Sequence, residues 1–269
     1  MSANAQAMVL AAGRGERMRP LSDTLPKPML AVQGKPLIHW HLEALARGGC
    51  EKVIVNTAWL GDTLVQGLQS AFKSSSMKNI GHFSHEYRHK TPSKSEHIYG
   101  ALELLFSNEG RDFGGALETA GGIARALPLL EAIFWVAAGD VFAPEFEFTQ
   151  EAVDRFASSG KLAHLWLVPN PEHNPRGDFG LSADGLALNL SQDSAAQRYT
   201  YTTIGLYREA FFAPPYCHIP PGNPAGIKAP LAPMLRAAMD NRQVSAQIYT
   251  GPWTDVGTPE RLAELNRPL

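Results

Sequence analysis

A short loop near the start of the chain combines glycines with positive charge. Residues 9–30 read VLAAGRGERMRPLSDTLPKPML, in which two glycines bracket an arginine and a lysine stands between two prolines. Glycines let backbone N–H groups approach an anion closely, and nearby cations add charge at the same point. The cations of the loop are Arg14, Arg17, Arg19 and Lys27. This pattern predicts a binding site for a phosphate-bearing ligand.

The residues after the second glycine exclude two well-known phosphate-binding loops. A Walker A loop ends in Gly-Lys-Ser/Thr, whereas this loop continues Gly15-Glu16-Arg17. The dinucleotide fingerprint needs a third glycine that opens a helix, but Met18 takes that position and Pro20 prevents a long helix. An NAD-dependent oxidoreductase is therefore disfavoured.

Two aspartates further along the chain stand where a carboxylate can serve a ligand. Asp140 follows the apolar run IFWVAAG and therefore falls at the carboxyl end of a predicted strand, where open α/β sheets bind ligands. Asp255 lies in WTDVGT, just before the last predicted helix. An aspartate after a strand also commonly caps a turn, so these positions alone leave both interpretations open.

The elements that must position these residues alternate between strand and helix. Apolar runs predict strands over 7–12, 52–56, 101–106 and 133–138. Helical periodicity and capping residues predict helices over 36–49, 64–72, 121–130, 229–243 and 258–267. Continuous apolar strands joined by helices favour a mostly parallel α/β sheet covered on both faces.

The second half of the chain has a different pattern. LAHLWLV, DFGLSADGLALNL and RYTYTTIGLYR combine period-two stretches with glycine turns, which predicts a small β-rich lobe over about residues 160–228. Residues 73–100 are polar and serine-rich and predict a solvated insertion. Within it, the spacing of His82, His85 and His89 fits zinc on a helix, but no cysteine or clear carboxylate completes the ligand set. We expect one domain over the whole chain.

Composition limits the classes of partner. The chain has 24 basic and 26 acidic residues, so its overall charge does not indicate a nucleic-acid partner. The apolar run near its start is too short for a signal peptide, and no window approaches the ~20 apolar residues of a membrane span. Cys50 and Cys217 are far apart, which favours reduced, buried thiols. We expect a cytoplasmic protein that binds neither nucleic acid nor membrane; the oligomeric state stays open.

Together these motifs resemble the signature of the sugar-1-phosphate nucleotidylyltransferases. Residues 10–20, LAAGRGERMRP, and 25–30, LPKPML, carry the resemblance. WLGD after the second strand, GD at 139–140 and WTDVGTPERL near the end extend it over nearly the whole chain. The resemblance implies a Rossmann-like, mostly parallel mixed sheet flanked by helices, with the β-rich lobe binding the sugar.

The resemblance also implies a reaction. In this family an oxygen of a sugar 1-phosphate attacks the α-phosphorus of a nucleoside triphosphate, and pyrophosphate leaves. Because the nucleophile is already anionic, positioning and charge neutralisation carry the catalysis. Similarity to the family makes Asp140 and Asp255 the ligands of Mg²⁺, a cation that suits few protein carboxylates and several substrate oxygens. It makes Arg17 and Lys27 the catalytic clamp on the triphosphate, and Lys228 the catalytic lysine that receives the sugar phosphate.

Further binding positions come from the same resemblance. Residues 116–127, ALETAGGIARAL, match the loop whose backbone reads the nucleobase. The implied nucleotide-binding residues are Ala11, Ala12, Gly13, Gly15, Ser107, Asn108, Glu118, Thr119 and Gly121. The implied sugar-binding residues are Asp140, Gly177, Asp178, Thr203 and Lys228. The spacer 107–115 is longer here than in those relatives.

The residue at position 118 distinguishes between subgroups of this family that use different substrates. Guanylyl members of the family commonly have glycine before Thr-Ala-Gly, whereas this chain has Glu118, as do the members that act on N-acetylmuramate 1-phosphate with UTP. RGDF at 176–179 and the absence of a β-helix after the last helix favour the same group. The sequence therefore predicts uridylyl transfer to N-acetylmuramate 1-phosphate in cell-wall sugar recycling. The alternatives are guanylyl transfer to mannose 1-phosphate and a non-catalytic domain that senses a nucleotide sugar.

Overall fold

A computed structural model of the chain describes residues 6–71, 78–80 and 102–267. Its strands are β1 (Gln6–Leu10), β2 (Ala31–Val32), β3 (Lys35–Pro36), β4 (Lys52–Thr57), β5 (Lys78–Ile80), β6 (Glu103–Asn108), β7 (Ile133–Ala138), β8 (Val141–Phe142), β9 (Ala163–Val168), β10 (Phe179–Leu181), β11 (Ala187–Leu188), β12 (Arg198–Arg208), β13 (Val244–Ile248) and β14 (Thr254–Asp255). Its helices are α1 (Leu37–Arg47), α2 (Gly61–Ala71), α3 (Glu109–Phe113), α4 (Glu118–Ala126), α5 (Gln150–Ser159), α6 (Leu231–Asp240) and α7 (Pro259–Leu265). His82, His85 and His89, with most of the predicted insertion, lie outside the described residues.

One ten-stranded sheet organises the fold. β1 pairs in parallel with β7 on one side and β4 on the other, and β6 and β5 continue the parallel ladder beyond β4. β12 pairs antiparallel with β7 and with β9, which pairs in parallel with β13. The predicted mostly parallel mixed sheet is therefore confirmed.

Helices cover both faces of this sheet. In β1, Ala7 and Val9 join a core with apolar residues of α1, α2 and α5, whereas Met8 faces the opposite core under α4 and α6. A strand buried on both faces needs apolar side chains at every position. This requirement explains the continuous apolar runs from which the strands were predicted.

The strands of the second half belong to the same sheet. β12 is 11 residues long, and its pairing shifts register between Tyr201 and Gly205. Its first part also pairs with β10, and its second part pairs with β7. The β-rich segment therefore extends the main sheet and does not form a separate one.

Most predicted elements are shifted by one to three residues at their ends, and the side chains explain the shift in two of them. β6 runs on to Asn108, two residues past its predicted end, because its polar side chains are satisfied internally: Arg125 Nε donates to Ser107 Oγ at 3.1 Å and Thr57 Oγ1 donates to Asn108 Oδ1 at 2.7 Å. The helix predicted over 121–130 begins earlier, at Glu118, and ends at Ala126. A 3₁₀ turn containing Pro128 follows, since proline cannot donate the next helical hydrogen bond.

Candidate active site

The glycine loop follows β1 and packs on Lys27. Gly15 has left-handed backbone angles of φ 65° and ψ 45°, and its carbonyl accepts from the Met18 N–H at 2.9 Å and from Ser22 Oγ at 2.8 Å. A side chain at this position would bring its Cβ to 3.2 Å from Lys27 Cβ. Glycine therefore meets both a backbone requirement and a close approach here.

Trp59, in the WLGD motif, contacts the same loop through its indole N–H and its ring. Its Nε1–H donates to the Ser22 carbonyl at 2.8 Å, and the guanidinium carbon of Arg14 lies 4.4 Å from its ring centroid. Such a cation–π contact at an exposed site contributes about 0.5–1 kcal/mol. The motif therefore orders the glycine loop.

A cleft of about 370 Å³ opens beside this loop. It is lined by Leu10, Ala11, Gly13, Gly15, Glu16, Arg17, Lys27, Pro28, Asp140 and Gly257. Within residues 6–71, 78–80 and 102–267, the N–H groups of residues 13–15 donate to no protein acceptor. In the same part of the chain, the exposed Arg17 has neither a hydrogen-bond partner nor an ion-pair partner. Free N–H groups and a free guanidinium at one cleft suit an oxygen-rich anion.

Lys27, which lines the cleft, contacts both aspartates. Its Nζ lies 2.5 Å from Asp140 Oδ2 and 3.9 Å from Asp255 Oδ1, and only 7% of the residue is exposed. Prolines on both sides restrict its backbone, which fixes the direction of the side chain. Because one ammonium contacts both carboxylates, the two carboxylates face the same point.

A short antiparallel ribbon brings these aspartates together. β8 follows Asp140 directly and pairs with β14, which contains Asp255, and the Val256 N–H donates to the Asp140 carbonyl at 3.1 Å. From α1, His41 Nε2 donates to the Val141 carbonyl at 2.8 Å. Burial lowers the pKa of His41 to about 4, so the ring is neutral near pH 7.

Side chains from two other segments hold Asp255. Arg261 Nη1 donates to Asp255 Oδ2 at 3.1 Å, and His173 Nε2 lies 3.6 Å from the same oxygen. Thr258 caps α7, with its Oγ1 accepting from the Arg261 N–H at 3.4 Å. Burial, followed by the charge of Arg261, lowers the pKa of His173. Asp255 therefore has one oxygen anchored and the other directed at Lys27.

This donor set fits a magnesium ion. Two carboxylates that face one point, beside a cleft open to water and phosphate oxygens, match the preference of Mg²⁺ for oxygen ligands and incomplete protein coordination. In the described part of the chain, no group of three or more His, Cys, Asp or Glu side chains is arranged to hold a metal. Asp140 and Asp255, which both face Lys27, are the pair that could hold such an ion.

The predicted base-reading residues belong to the end of β6 and to the start of α4. Ser107 and Asn108 are buried, and their side chains bond within the protein. Glu118 and Thr119 open α4, and Glu118 is exposed with φ +59°. The 116–127 segment is therefore mostly helix, and only its first residues form a loop.

Gly121 has a packing role in this structure. Its N–H donates to the Ala229 carbonyl at 3.2 Å and its carbonyl accepts from Asn223 Nδ2 at 3.0 Å, so both backbone groups already have partners. An added Cβ would lie 2.4 Å from the Ile227 carbonyl oxygen. Contact between Gly121 and a base, carried over from the family motif, conflicts with these bonds.

Lys228 does not line the cleft but belongs to a segment fixed against the base-reading residues. The Ala229 N–H donates to the Leu117 carbonyl at 3.1 Å, and its own carbonyl accepts from the Ala120 N–H at 2.9 Å. The buried Asn223 bonds both backbone groups of Ile227, each at 2.8 Å. These bonds hold the exposed Lys228 at a defined position.

Three of the predicted sugar-binding residues, Gly177, Asp178 and Thr203, lie in β12 or beside it, whereas Asp140 and Lys228 lie elsewhere. Asp178 Oδ2 accepts from the Tyr201 N–H at 2.8 Å, so this carboxylate already supports the strand. Gly177 has φ +63°, and Thr203 has φ +62° within the irregular part of β12. Trp253 Nε1 donates to the Thr202 carbonyl at 3.2 Å, which ties this irregularity to the strand of Asp255.

Two polar residues at the site, Asn56 and Glu109, were not predicted from the sequence. Asn56 ends an apolar run in β4, and Glu109 follows β6, so both stand at strand carboxyl ends, as Asp140 does. Asn56 Oδ1 accepts from the Ala11 N–H at 2.7 Å, and Asn56 Nδ2 donates to Glu109 Oε1 at 2.7 Å. A polar residue that ends a buried strand was the available signal.

Comparison with known proteins identifies the family. Residues 6–198 match the family model described as Nucleotidyl transferase. The chain belongs to the nucleotidyl transferase family. This match confirms the resemblance that the glycine loop and Lys27 indicated. It also confirms the expectation that the chain is an enzyme of the nucleotidyltransferase class.

Individual relatives of this nucleotidyl transferase cover nearly its whole length. N-acetylmuramate alpha-1-phosphate uridylyltransferase of Neisseria meningitidis is 41% identical over 96% of each chain. The protein of the same name from Caulobacter vibrioides is 29% identical over 94% of this chain and 92% of its own. The solved structure of a putative glucose-1-phosphate thymidylyltransferase from Bacillus anthracis aligns with a TM-score of 0.71 at 15% identity, over 97% of this chain and 94% of its own, which supports the fold alone.

Two other expectations concern membrane-spanning helices and the state of the cysteines. Among the described residues, no helix combines the length and the apolar character needed to cross a bilayer. Cys50 and Cys217 are both buried and free, as predicted.

Proposed function

We propose that this nucleotidyl transferase transfers the uridylyl group of UTP to N-acetylmuramate 1-phosphate with Mg²⁺, giving the UDP-sugar and pyrophosphate. The observation that carries the proposal is the placement of Lys27, Asp140 and Asp255 at one point beside a glycine loop with a free Arg17. Two relatives named for this reaction, aligned over more than nine-tenths of this chain, support the substrate pair.

The proposed reaction needs no general base. A phosphate oxygen of the sugar attacks the α-phosphorus of UTP, the bond from that phosphorus to the β-phosphate oxygen breaks, and pyrophosphate leaves with the electron pair. Because every reactant is an anion, the main barrier is electrostatic. Arg17 and Lys27 line the cleft and would stabilise the negative charge that grows on the leaving group.

The metal and Lys27 share the carboxylates in this proposal. Asp140 and Asp255 would hold a Mg²⁺ ion, whose positive charge would offset part of the charge of the phosphates. Lys27 contacts both carboxylates, so its ammonium would be released to the phosphates wherever a cation competes for those carboxylates. The ammonium therefore keeps the two carboxylates in place before substrate binds.

The two ends of the cleft are assigned to the two substrates. We place the uracil between the glycine loop and the segment at Leu117–Thr119, and the sugar toward the lobe of about residues 160–228 with Gly177, Asp178 and Thr203. Lys228, whose segment is bonded to Leu117 and Ala120, would receive the sugar phosphate between them. We further propose that the chain acts in the cytoplasm, as one domain, in cell-wall sugar recycling.

A substrate matrix tests the function. Purified protein with Mg²⁺ is offered UTP, CTP, GTP and dTTP, each with the 1-phosphates of N-acetylmuramate, N-acetylglucosamine, glucose and mannose, and pyrophosphate release is followed. N-acetylglucosamine 1-phosphate is the matched acceptor, because it lacks only the lactyl ether. We expect UTP with N-acetylmuramate 1-phosphate to give the highest kcat/KM, at least about tenfold above GTP with mannose 1-phosphate, which corresponds to about 1.4 kcal/mol.

Two results would contradict the proposal in different ways. A preference for GTP with mannose 1-phosphate would replace the substrate pair and keep the chemistry. Tight binding of a nucleotide sugar without turnover of any pair would indicate a sensor domain.

A further inference from the structure

A buried carboxylate next to the base-reading segment takes no part in the reaction described above. Glu109, the first residue of α3, has no solvent-exposed surface. Burial raises its pKa, whereas hydrogen bonds from Leu117 and Asn56 act in the opposite direction. A buried acid of this kind is costly unless each oxygen has a partner.

Both oxygens of Glu109 have such partners, and the partners lead to opposite sides of the nucleotide site. Oε1 accepts from Asn56 Nδ2 at 2.7 Å, and Asn56 Oδ1 accepts in turn from the N–H of Ala11 in the glycine loop at 2.7 Å. Oε2 accepts from the N–H of Leu117 at 2.7 Å. A single side chain thus connects the phosphate-binding loop with the residue that precedes Glu118.

The packing around this carboxylate leaves it little freedom. A Cβ added at Gly122 would lie 2.6 Å from Glu109 Oε1 and 3.0 Å from Asn56 Nδ2, so α4 passes directly over the pair. The Leu117 carbonyl also accepts from the Ala229 N–H, next to Lys228. Displacement of Glu109 would therefore move the Leu117 backbone relative to Ala11.

We propose that Glu109 is a positioning residue for nucleobase selection: with Asn56, it sets the gap between the Ala11 backbone and the Leu117–Thr119 segment. This inference rests on the proposed function, in which the base occupies that gap. Hydrogen-bond selectivity for one base requires that the groups on its edge be held at fixed distances.

The donor and acceptor pattern makes the proposal testable by an exchange. In Glu109→Gln, the introduced amide offers one acceptor where two donors point, so either Leu117 N–H or Asn56 Nδ2 loses its partner. The Asn56 amide cannot turn over without losing the Ala11 N–H. In the double variant Asn56→Asp with Glu109→Gln, the introduced aspartate accepts from Ala11 and from the introduced glutamine, whose oxygen accepts from Leu117. All three hydrogen bonds then return, with the carboxylate at position 56 instead of position 109.

The experiment compares the wild type with both single variants, the double variant and Asp112→Asn. Asp112 is the matched control, because it is a buried carboxylate of the same helix that pairs with Arg125 and bonds neither loop. The measurements are kcat, the KM values of UTP and of the sugar 1-phosphate, the ranking of UTP, CTP and GTP, and the melting temperature. If the wild type prefers another nucleotide, the proposed substrate is wrong. The role of Glu109 is then tested by whether Glu109→Gln weakens the preference for that other nucleotide. If it turns over none, dissociation constants for the same nucleotides replace the KM values.

We expect Glu109→Gln to raise the KM of UTP about tenfold and to lower the preference for UTP over CTP, with the KM of the sugar phosphate within about twofold of wild type. The double variant should restore the nucleotide ranking, and Asp112→Asn should lower the melting temperature without changing the ranking. Should Glu109→Gln not fold, recovery of folding and ranking by the double variant supports the same conclusion. The inference is overturned if Glu109→Gln folds and keeps the wild-type ranking, or if the folded double variant does not recover it.

Discussion

Replacement of Lys27 by methionine should separate two roles of this side chain. Its ammonium lies 2.5 Å from Asp140 and 3.9 Å from Asp255 and keeps these carboxylates together. In the proposed reaction it stabilises the leaving pyrophosphate. Lys27→Met should therefore lower the stability of the metal-free protein and lower turnover, while it strengthens the response to Mg²⁺.

The structure gives the size of the stability effect. Unit charges about 4 Å apart interact by ~4 kcal/mol at an effective dielectric constant of ~20, and removal of one partner from a buried pair costs about 3–5 kcal/mol. The side chain of Lys27 is 8% exposed, but those of Asp140 and Asp255 are 37% and 26% exposed, so water relieves part of the repulsion that remains. We expect a loss of about 2–3 kcal/mol, or roughly 5–10 °C in melting temperature.

Lys27→Met should also lower kcat strongly. Loss of one preorganised group that stabilises transition-state charge lowers kcat by about 10²–10³. Mg²⁺ meets two carboxylates without a competing ammonium in the variant, so excess Mg²⁺ should raise the melting temperature of Lys27→Met more than that of the wild type. The assays are thermal denaturation in EDTA and in Mg²⁺, and pyrophosphate release at saturating substrate.

A matched control lies in β3. Lys35 Nζ is also 2.5 Å from a carboxylate oxygen, that of Glu43, and its pair is away from the cleft. Lys35→Met should lower the melting temperature equally in EDTA and in Mg²⁺ and leave kcat unchanged. The reasoning is refuted if Lys27→Met keeps near-normal kcat, or if Mg²⁺ stabilises it no more than it stabilises the wild type.

Three further variants test separate parts of the structure. Asp255→Asn should lower kcat by about 10²–10⁴, or roughly 3–5 kcal/mol of transition-state stabilisation, with the fold intact by circular dichroism; near-normal Mg²⁺-dependent activity would exclude this residue as a ligand. Glu118→Gly should leave the melting temperature equal or higher, because it relieves a left-handed backbone, and should lower the preference for UTP over GTP; a marked loss of stability would contradict the strain. Burial lowers the pKa of His164 to about 4 from 6.5, so the neutral ring stabilises the fold above pH 6.5 and this contribution is lost as the pH falls toward 4, by about 2 kcal/mol at pH 5. Urea denaturation at both ends of this range should show a smaller pH dependence for His164→Gln than for the wild type.

The central sheet could be predicted from hydrophobic pattern because its strands are buried on both faces. β1, β4 and β7 lie within two residues of the apolar runs that indicated them. The partners of β12 could not be predicted in this way, since alternation along one strand does not say which neighbours it pairs with. The 11 residues of β12 pair with β7, β9 and β10 along different parts of the strand. This pairing depends on tertiary contacts between segments that are distant in the sequence.

The site was predictable where a residue ends a strong strand. Asp140 met that condition, and the rule that parallel strands bind ligands at their carboxyl ends placed it with the glycine loop. The contact with Asp255 depends on the two-residue strands β8 and β14, which are too short for any periodic signal. Asn56 and Glu109 each end a buried strand and so carried the same signal as Asp140, but the hydrogen bond between them depends on the pairing of β4 with β6.

Glu118 shows how a departure from a family pattern acquires a physical meaning in the structure. Its φ of +59° is one that glycine adopts freely and that costs a glutamate about 1–2 kcal/mol. Such strain persists only where surrounding bonds fix the backbone, and here Leu117 is held by Glu109 on its N–H and by Ala229 on its carbonyl, while the Ala120 N–H is bonded to Ala229 as well. The fold therefore accepts an unfavourable conformation to keep an exposed side chain at the entrance of α4, where glycine would leave open space. We propose on this ground that Glu118 contributes to ligand selection, because an exposed side chain on a strained backbone adds nothing to the core.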